Sequence, residues 1–312
     1  MTAPLLIVNP SSGRERGAEL AGRLADGLRR KFGNVDVVQT RGDEDAERAA
    51  RGYAASGGRE LFVAGGDGTL NEALNGIAAA GALGDVRFGV FPLGTGNDFA
   101  TALGVPLEID DALDVLLAGR LLRVDVGVVN GRHFLNTSGG GFIAEVSVAV
   151  TPQLKTIAGR LAYLIGGAQA LMEYESLRAT VSAEPGAFRM GLGLHTFAVC
   201  NSRLIGGGRL IAPHAVIDDG LLDVCLIEAM GAVEFLTLAS RVAEGEHVTD
   251  PRVRYLQASS VVIELEREAK INTDGEVLSA TRCAYSVLPR VATFLAGDAP
   301  FAAHTEEVVS AS

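Results

Sequence analysis

Short apolar runs separated by amphipathic stretches organise the first third of the chain. Leu5–Val8 is an apolar run closed by Asn9, Pro10, Ser11, Ser12 and Gly13, and Leu20, Leu24 and Leu28 then recur at helical spacing within Gly17–Phe32. The pattern predicts strand, loop, helix. Residues 35–38 and 61–64 predict two further buried strands, with a helix over 43–55 between them and a loop over 65–69 leading to a helix over 70–79. The run 87–91 predicts another strand, closed by a loop over 92–98. Strands alternating with helices imply a parallel, helix-covered sheet, whose ligands bind beyond the carboxyl ends of the strands.

After Leu122 the period changes. Val124, Val126 and Val128 alternate with Asp125 and Gly127, and Asn130-Gly131 is a hairpin turn ahead of a strand over 133–137. Strands over 179–182, 192–199, 221–227, 261–265 and 283–288 continue in this style, interrupted by helices near 160–172 and 233–242. The fold class expected is an α/β domain over 1–123 followed by a mostly antiparallel, β-sandwich-like domain over 124–289, with a flexible polar tail over 302–312. A chain of 312 residues suits two domains at roughly 150 residues each.

Composition narrows the function classes. A net charge of -11 has the wrong sign for a protein held to nucleic acid by phosphate neutralisation. Apolar runs stop well short of the ~20 residues a membrane span needs, and no signal peptide opens the chain, so a cytoplasmic protein is expected. Cys200, Cys225 and Cys283 have no metal spacing and read as buried thiols, and the five histidines form no paired motif. Glycine is in surplus: 39 residues against the roughly 22 that average usage would supply. Much of the surplus sits in a few loops.

Gly65-Gly66-Asp67-Gly68-Thr69 joins a predicted strand to the helix carrying Asn71 and Glu72. Its glycines let successive backbone N–H groups face an anion, and the helix N-terminus adds favourable dipole, which makes a phosphate cradle. Asp67 would repel bare phosphate, so it suits a Mg²⁺ ligand or a proton acceptor. A second loop of this design, Leu93-Gly94-Thr95-Gly96-Asn97-Asp98, follows the next strand, and the two line one crevice. Asn9, Ser11, Ser12 and Thr40, at the first two strand ends, can add polar contacts to a nucleotide. There is no P-loop motif, and the kinase H-R-D and D-F-G tripeptides are absent. Gly139-x-Gly141-x-x-Ala144 follows a hairpin strand and reads as a tight turn rather than a dinucleotide fingerprint. Two later turns carry carboxylates: Asp218-Asp219-Gly220-Leu221, and Asp274-Gly275-Glu276 between short strands, the latter either a solvated hairpin turn or a source of cleft carboxylates.

These residues together resemble the diacylglycerol kinase catalytic family, most closely its YegS-like bacterial lipid kinases. The likeness runs through Val8-Asn9-Pro10, residues 65–71 and 92–100, Val124-Asp125-Val126, Asn136 with Gly140-Gly141-Phe142, Gly206-Gly207-Gly208, Asp219-Gly220-Leu221 and Asp274-Gly275-Glu276. It implies ATP and a lipid alcohol at the membrane surface as partners, a catalytic Mg²⁺ with ATP, a structural Mg²⁺, peripheral membrane contact and a homodimer as the assembly to test. By the same likeness Asn9, Thr40, Gly65, Gly66, Asp67, Gly68, Thr69, Leu70, Asn71 and Thr95 would contact ATP. Val216 and Leu221, through their carbonyls, and Asp219 would hold the structural Mg²⁺. Glu276 or Asp274 would accept the hydroxyl proton, with Asp67 serving the catalytic metal. Residues 290–301 would return to complete the first domain. Arg14 and Arg16 lie near the first loop, and Lys155, Arg160, Ile157, Leu161, Leu164 and Ile165 suggest either an interfacial or a core helix. An NAD kinase shares the GGDG loop, and a catalytically silent nucleotide- or lipid-binding regulator is the alternative of another class.

Overall fold

The computed structural model describes residues 2–12, 17–142, 144, 174–185 and 188–303. Gly13, Arg14 and Arg16, the helix expected near 160–172, and the tail beyond 303 lie outside the described residues. The amino-terminal layer runs β1 (Leu5–Val8), α1 (Gly17–Phe32), β2 (Asp36–Gln39), α2 (Asp45–Ala55), β3 (Glu60–Gly65), α3 (Asp67–Ala79) and β4 (Arg87–Pro92). β1 pairs in parallel with both β2 and β3, and β3 with β4. Two short helices, α4 (Asp98–Ala102) and α5 (Ile109–Ala118), then precede the long antiparallel part. α5 buries Ala112, Leu113 and Leu116, carries Asp110 and Asp111 in its first turn and ends at the left-handed Gly119.

β2 corrects the expectation of a buried strand at 35–38. Val35, just before it, is buried, but the four residues of β2 are all exposed, because β2 is the last strand of the sheet and among the described residues only β1 pairs with it. α3 corrects another boundary: the helix begins at Asp67, so Asp67, Gly68 and Thr69 form its first turn rather than a preceding loop.

The second part contains β5 (Leu121–Val129), β6 (Arg132–Phe134), β7 (Thr137–Gly141), β8 (Leu177–Glu184), β9 (Phe188–Cys200), the pair β10 (Leu204–Ile205) and β11 (Arg209–Leu210), and β12 (Leu222–Glu228). Helix α6 (Ala232–Ser240) separates these from β13 (Val253–Ala258), β14 (Ser260–Thr273) and β15 (Glu276–Leu295). Among the described residues, 13 strands join one continuous sheet, ordered β13-β12-β9-β7-β14-β15-β4-β3-β1-β2 along its main path. The junction is β15, which is antiparallel to β14 and β5 but meets β4 in parallel at Thr293 and Phe294. Phe294 stacks on Phe88 of β4 at 4.9 Å between ring centroids, inside the amino-terminal core. A separate apolar cluster, with Phe134, Phe197, Ile271 and Tyr285, fills the antiparallel part.

Two turns follow from local chemistry. Asn130 (φ 48°) and Gly131 (φ 87°) both take left-handed backbone and close the β5–β6 hairpin, as the Asn-Gly pair predicts. Asp274 (φ 47°) and Gly275 (φ 96°) do the same between Thr273 and Glu276, although the strands they join are long rather than short. Gly139, Gly140 and Gly141 overturn the tight-turn reading: all three lie within β7 and pair with β9, and Gly139 and Gly140 also pair with β14. Glycine is needed there because a Cβ on Gly139 would sit 2.4 Å from the carbonyl oxygen of Phe197. The three cysteines are buried and free, as expected. Among the described residues no helix is long and apolar enough to cross a membrane.

The strand glycines supply a test of this packing. Gly139→Ala is expected to lower the unfolding free energy by about 1–3 kcal/mol through overpacking, measured by urea denaturation, whereas Gly191→Ala, whose Cβ would meet nothing within 4 Å, changes it by less than ~0.5 kcal/mol.

Candidate active site

Three glycine-rich loops meet where β3, β4 and the turn before β11 end. Gly66 caps α3 with extended backbone, and a Cβ on Gly94 would fall 2.6 Å from the Cα of Gly66, so the first two loops touch backbone to backbone. Asn97, left-handed at φ 56°, holds the second loop closed: its Oδ1 accepts the Gly94 N–H at 2.8 Å and its Nδ2 donates to the Gly94 carbonyl at 2.9 Å. The third loop, Gly206 to Gly208, has positive φ at all three residues and lies against Thr95 and Gly96.

Carboxylates bind these loops together. Asp67, in the first turn of α3, accepts the N–H of Asp98 at 3.2 Å, that of Phe99 at 3.1 Å and the Asn136 amide at 3.4 Å. Asp98 accepts the N–H groups of Gly207 at 3.1 Å and Gly208 at 2.8 Å; burial, with the nearby Asp67, raises its pKa above the usual carboxylate value. Gly96 leaves room beside both acids, since its Cβ would lie 3.1 Å from an Asp67 oxygen and 3.6 Å from an Asp98 oxygen. Each carboxylate keeps unused lone pairs beyond its amide bonds, which is the donor chemistry a hard divalent cation takes. Asp98 belongs to the loop legible in the sequence, but its grip on the third glycine loop joins residues 109 apart and had no local signal.

Asp274 and Glu276 sit at one hairpin and have different surroundings. The buried Asp274 carboxylate accepts backbone N–H groups from Leu135 at 2.6 Å, Asn136 at 3.0 Å and Thr137 at 2.8 Å. Burial pushes its pKa up to about 7 despite these three amides, and Asp67 adds to the rise. The turn is therefore a hairpin turn but not a solvated one. Glu276 stands half-exposed and is gripped by Arg132, which no motif had singled out. Its neighbour Glu72, on α3, has a carboxyl pushed upward by burial and by the charge of Glu276.

The remaining nucleotide candidates fall into two groups. Asn9 donates to Thr69 Oγ1 at 3.0 Å and accepts the Ser11 N–H at 3.0 Å, so it ties the first loop to α3. Thr40 is buried at the end of β2, with its N–H donated to Val8, while Thr95 is exposed on the second loop. Gly65 and Gly68 line the turn into α3, the latter facing the Asp274 carbonyl. Leu70 and Asn71 turn inward: Leu70 is core, and Asn71 is fully buried with Oδ1 near the Asn75 amide.

The turn carrying Val216, Asp219 and Leu221 lies apart from the glycine loops. Asp219 Oδ1 accepts the Leu221 N–H at 2.9 Å, and the buried Asp125 accepts the N–H groups of Gly220 and Arg290, each at 2.6 Å. Burial raises the pKa of Asp125, and the charges of Asp219 and Asp218 raise it further. Among the described residues no three His, Cys, Asp or Glu side chains surround one point, so a cation here would rest on backbone carbonyls as well as the Asp219 carboxylate. Such an all-oxygen set fits a hard divalent ion. Asn201 connects this turn to the cleft, its Nδ2 donating to the carbonyls of Asp125 at 3.0 Å and Leu135 at 2.9 Å.

Comparison with known proteins adds an independent line. Residues 3–129 match the family model described as the diacylglycerol kinase catalytic domain, and residues 138–296 match the YegS C-terminal NAD kinase beta sandwich-like domain. The chain is 33% identical over 274 residues to a diacylglycerol kinase of Bacillus subtilis (strain 168), covering 87% of this chain and 88% of that one. It is 34% identical to the diacylglycerol kinase of Staphylococcus carnosus (strain TM300), covering 87% of each. The crystal structure of a putative diacylglycerol kinase from Bacillus anthracis str. Sterne superposes with a TM-score of 0.79 at 26% identity, over 95% of this chain and 97% of that one.

The raised pKa of Asp274 makes ionisation of its carboxyl unfavourable in the folded state, so its contribution to stability falls as pH rises from the ordinary aspartate range towards about 7 and is level above that. The stability advantage of the parent protein over Asp274→Asn is accordingly expected to be larger at pH 5 than at pH 8 in urea unfolding. An advantage that grew with pH would mean that the three amides hold the group as an anion.

Proposed function

We propose, from the premise that the chain belongs to the diacylglycerol kinase family, that it is an ATP-dependent lipid kinase whose transfer chemistry runs between the glycine loops and the Asp274-Gly275-Glu276 turn. The lipid hydroxyl attacks the γ-phosphorus of ATP in line. As the new O–P bond forms, the hydroxyl proton passes to a Glu276 carboxylate oxygen, and the bond to ADP breaks with its electron pair leaving on ADP.

The residues divide this work according to their surroundings. The backbone of Gly65, Gly66 and Gly68, at the amino end of α3, offers N–H groups and a helix dipole to the ATP phosphates. Asn9, Thr40, Thr69, Leu70, Asn71 and Thr95 border that position, the buried ones by holding loop backbone in place. Asp67 and Asp98 would hold a divalent cation, for which Mg²⁺ is our assignment, and that ion would supply neutralisation of phosphate charge. Val216, Asp219 and Leu221 would hold a second, structural cation.

Between the two candidate bases the observation that carries the choice is the state of the Asp274 carboxylate. Asp274 is buried, with three backbone amides shared over its two oxygens at 2.6–3.2 Å, whereas Glu276 is half-exposed and carries a single Arg132 bond on each oxygen. Asp274 thus suits a scaffold role and Glu276 the proton transfer. An acyl-chain substrate also requires peripheral contact with a membrane surface, which fits a chain without a spanning helix among its described residues.

Transfer of radiolabelled phosphate from ATP tests the reading. Total lipid extract, diacylglycerol and phosphatidylglycerol micelles, and NAD serve as acceptors; a labelled lipid is expected, and labelling of NAD alone would overturn the assignment. Glu276→Gln is expected to lower kcat by roughly 10²–10⁴-fold, the usual contribution of a general base. Asp67→Ala is expected to lose turnover to a comparable degree, and parental rates in both variants would sink the residue roles.

A further inference from the structure

Resting on Glu276 as the proton acceptor, we propose that Arg132 is a positioning residue for its carboxylate, and that Glu47 in turn orients Arg132. Arg132 opens β6, directly after the Asn130-Gly131 turn. Its Nε donates to Glu276 Oε2 at 2.6 Å and its Nη2 to Oε1, a two-point grip that fixes the plane of the carboxylate as well as its position. The same Nη2 donates to Glu47 Oε2 on α2 at 2.6 Å. One guanidinium therefore links α2, β6 and the start of β15.

β6 is itself anchored to the helix that carries Asp67. The His133 N–H donates to Asn75 Oδ1 at 2.9 Å, and Asn75 Nδ2 donates back to the His133 carbonyl at 3.0 Å. Asn75 lies two turns along α3 from Asp67, so Arg132 ties the base to the element that presents the phosphate loop.

The grip leaves the chemistry open. An ionised carboxylate has about four acceptor sites, and Arg132 takes one on each oxygen. A lone pair remains for the incoming hydroxyl proton, and with the Glu276 side chain 35% accessible a substrate can reach it. Arg132 neither gives nor takes a proton. Glu47 and Glu276 both pair with it and hold it firmly cationic, while Glu72 lies close enough to Glu276 to feel its charge. Removing the cation deprives the Glu276 carboxylate of its two-point hold and leaves it beside the like charge of Glu72, so its orientation is no longer fixed.

Partly exposed ion pairs contribute little to folding stability, so a purely structural role and a positioning role predict different results. Kinetics of Arg132→Met, Glu276→Gln and the double variant separate them, with single-turnover phosphate transfer to diacylglycerol micelles following the residual rates. Arg132→Met is expected to keep its urea midpoint and its KM for ATP within about 2-fold while kcat falls roughly 10–100-fold, the scale of a lost charge-assisted hydrogen bond. In the Glu276→Gln background the same substitution is expected to change the rate less than about 2-fold. Equal factors in both backgrounds, or a parental kcat in Arg132→Met, would overturn the positioning role. Parental turnover in Glu276→Gln alone would instead overturn the base assignment beneath it. Should Arg132→Met fail to fold, Glu47→Gln replaces it in the cycle: about a 3-fold loss that vanishes without Glu276 supports the proposal, and no loss or equal factors overturn it.

Discussion

Carboxylates bound by backbone amides recur where the two halves of this protein meet, Asp125 on β5 among them, and the site depends on three around the glycine loops. Asp67 collects the first amides of α4, Asp98 collects those of Gly207 and Gly208, and Asp274 collects those of Leu135, Asn136 and Thr137. Asp98 and the Asn136 amide on Asp67 cross between the halves, while the remaining bonds fasten the first two glycine loops to each other and the Asp274 hairpin to the segment after β6. An amide-bound carboxylate is both a charge and a fastener, and bonds of this kind are stronger than those between neutral groups.

Burial raises the pKa of both Asp98 and Asp274, and Asp67 is close enough to raise both further. That cost is offset by amide donors on the protein side, and a cation with ATP would offset it further from the open side. Glycine makes the arrangement possible. A side chain on Gly94 would collide with Gly66, and one on Gly96 would crowd Asp67. The surplus of glycine thus has two uses, backbone cleared for phosphate in the loops and close strand packing at Gly139 to Gly141.

Much of this was legible because local chemistry carried it. The helix over Gly17–Phe32 follows its leucine spacing, and the hairpin at Asn130-Gly131 follows its turn chemistry. The paired glycine loops pointed to one crevice, and the family motifs supplied the rest of the proposed nucleotide site. What escaped was set by tertiary contacts. Residues 35–38 look as apolar as a core strand, and only the position of β2 at the sheet edge exposes it. The glycines of β7 resemble a turn until Phe197 is seen across the strand. Arg132 is an ordinary residue after a hairpin, and its meaning lies in a glutamate 144 positions away. Helix α5 was a different kind of miss, since its acidic first turn and Gly119 cap were visible in the chain.

On the proposed function, the three glycine loops and their carboxylates form one nucleotide site spanning both halves. Hydrogen exchange with and without a saturating non-hydrolysable ATP analogue and a divalent cation tests it directly. New protection is expected together in residues 65–70, 94–98 and 206–208, on both sides of the junction. Protection confined to one of these loops, or found only away from them, would contradict it.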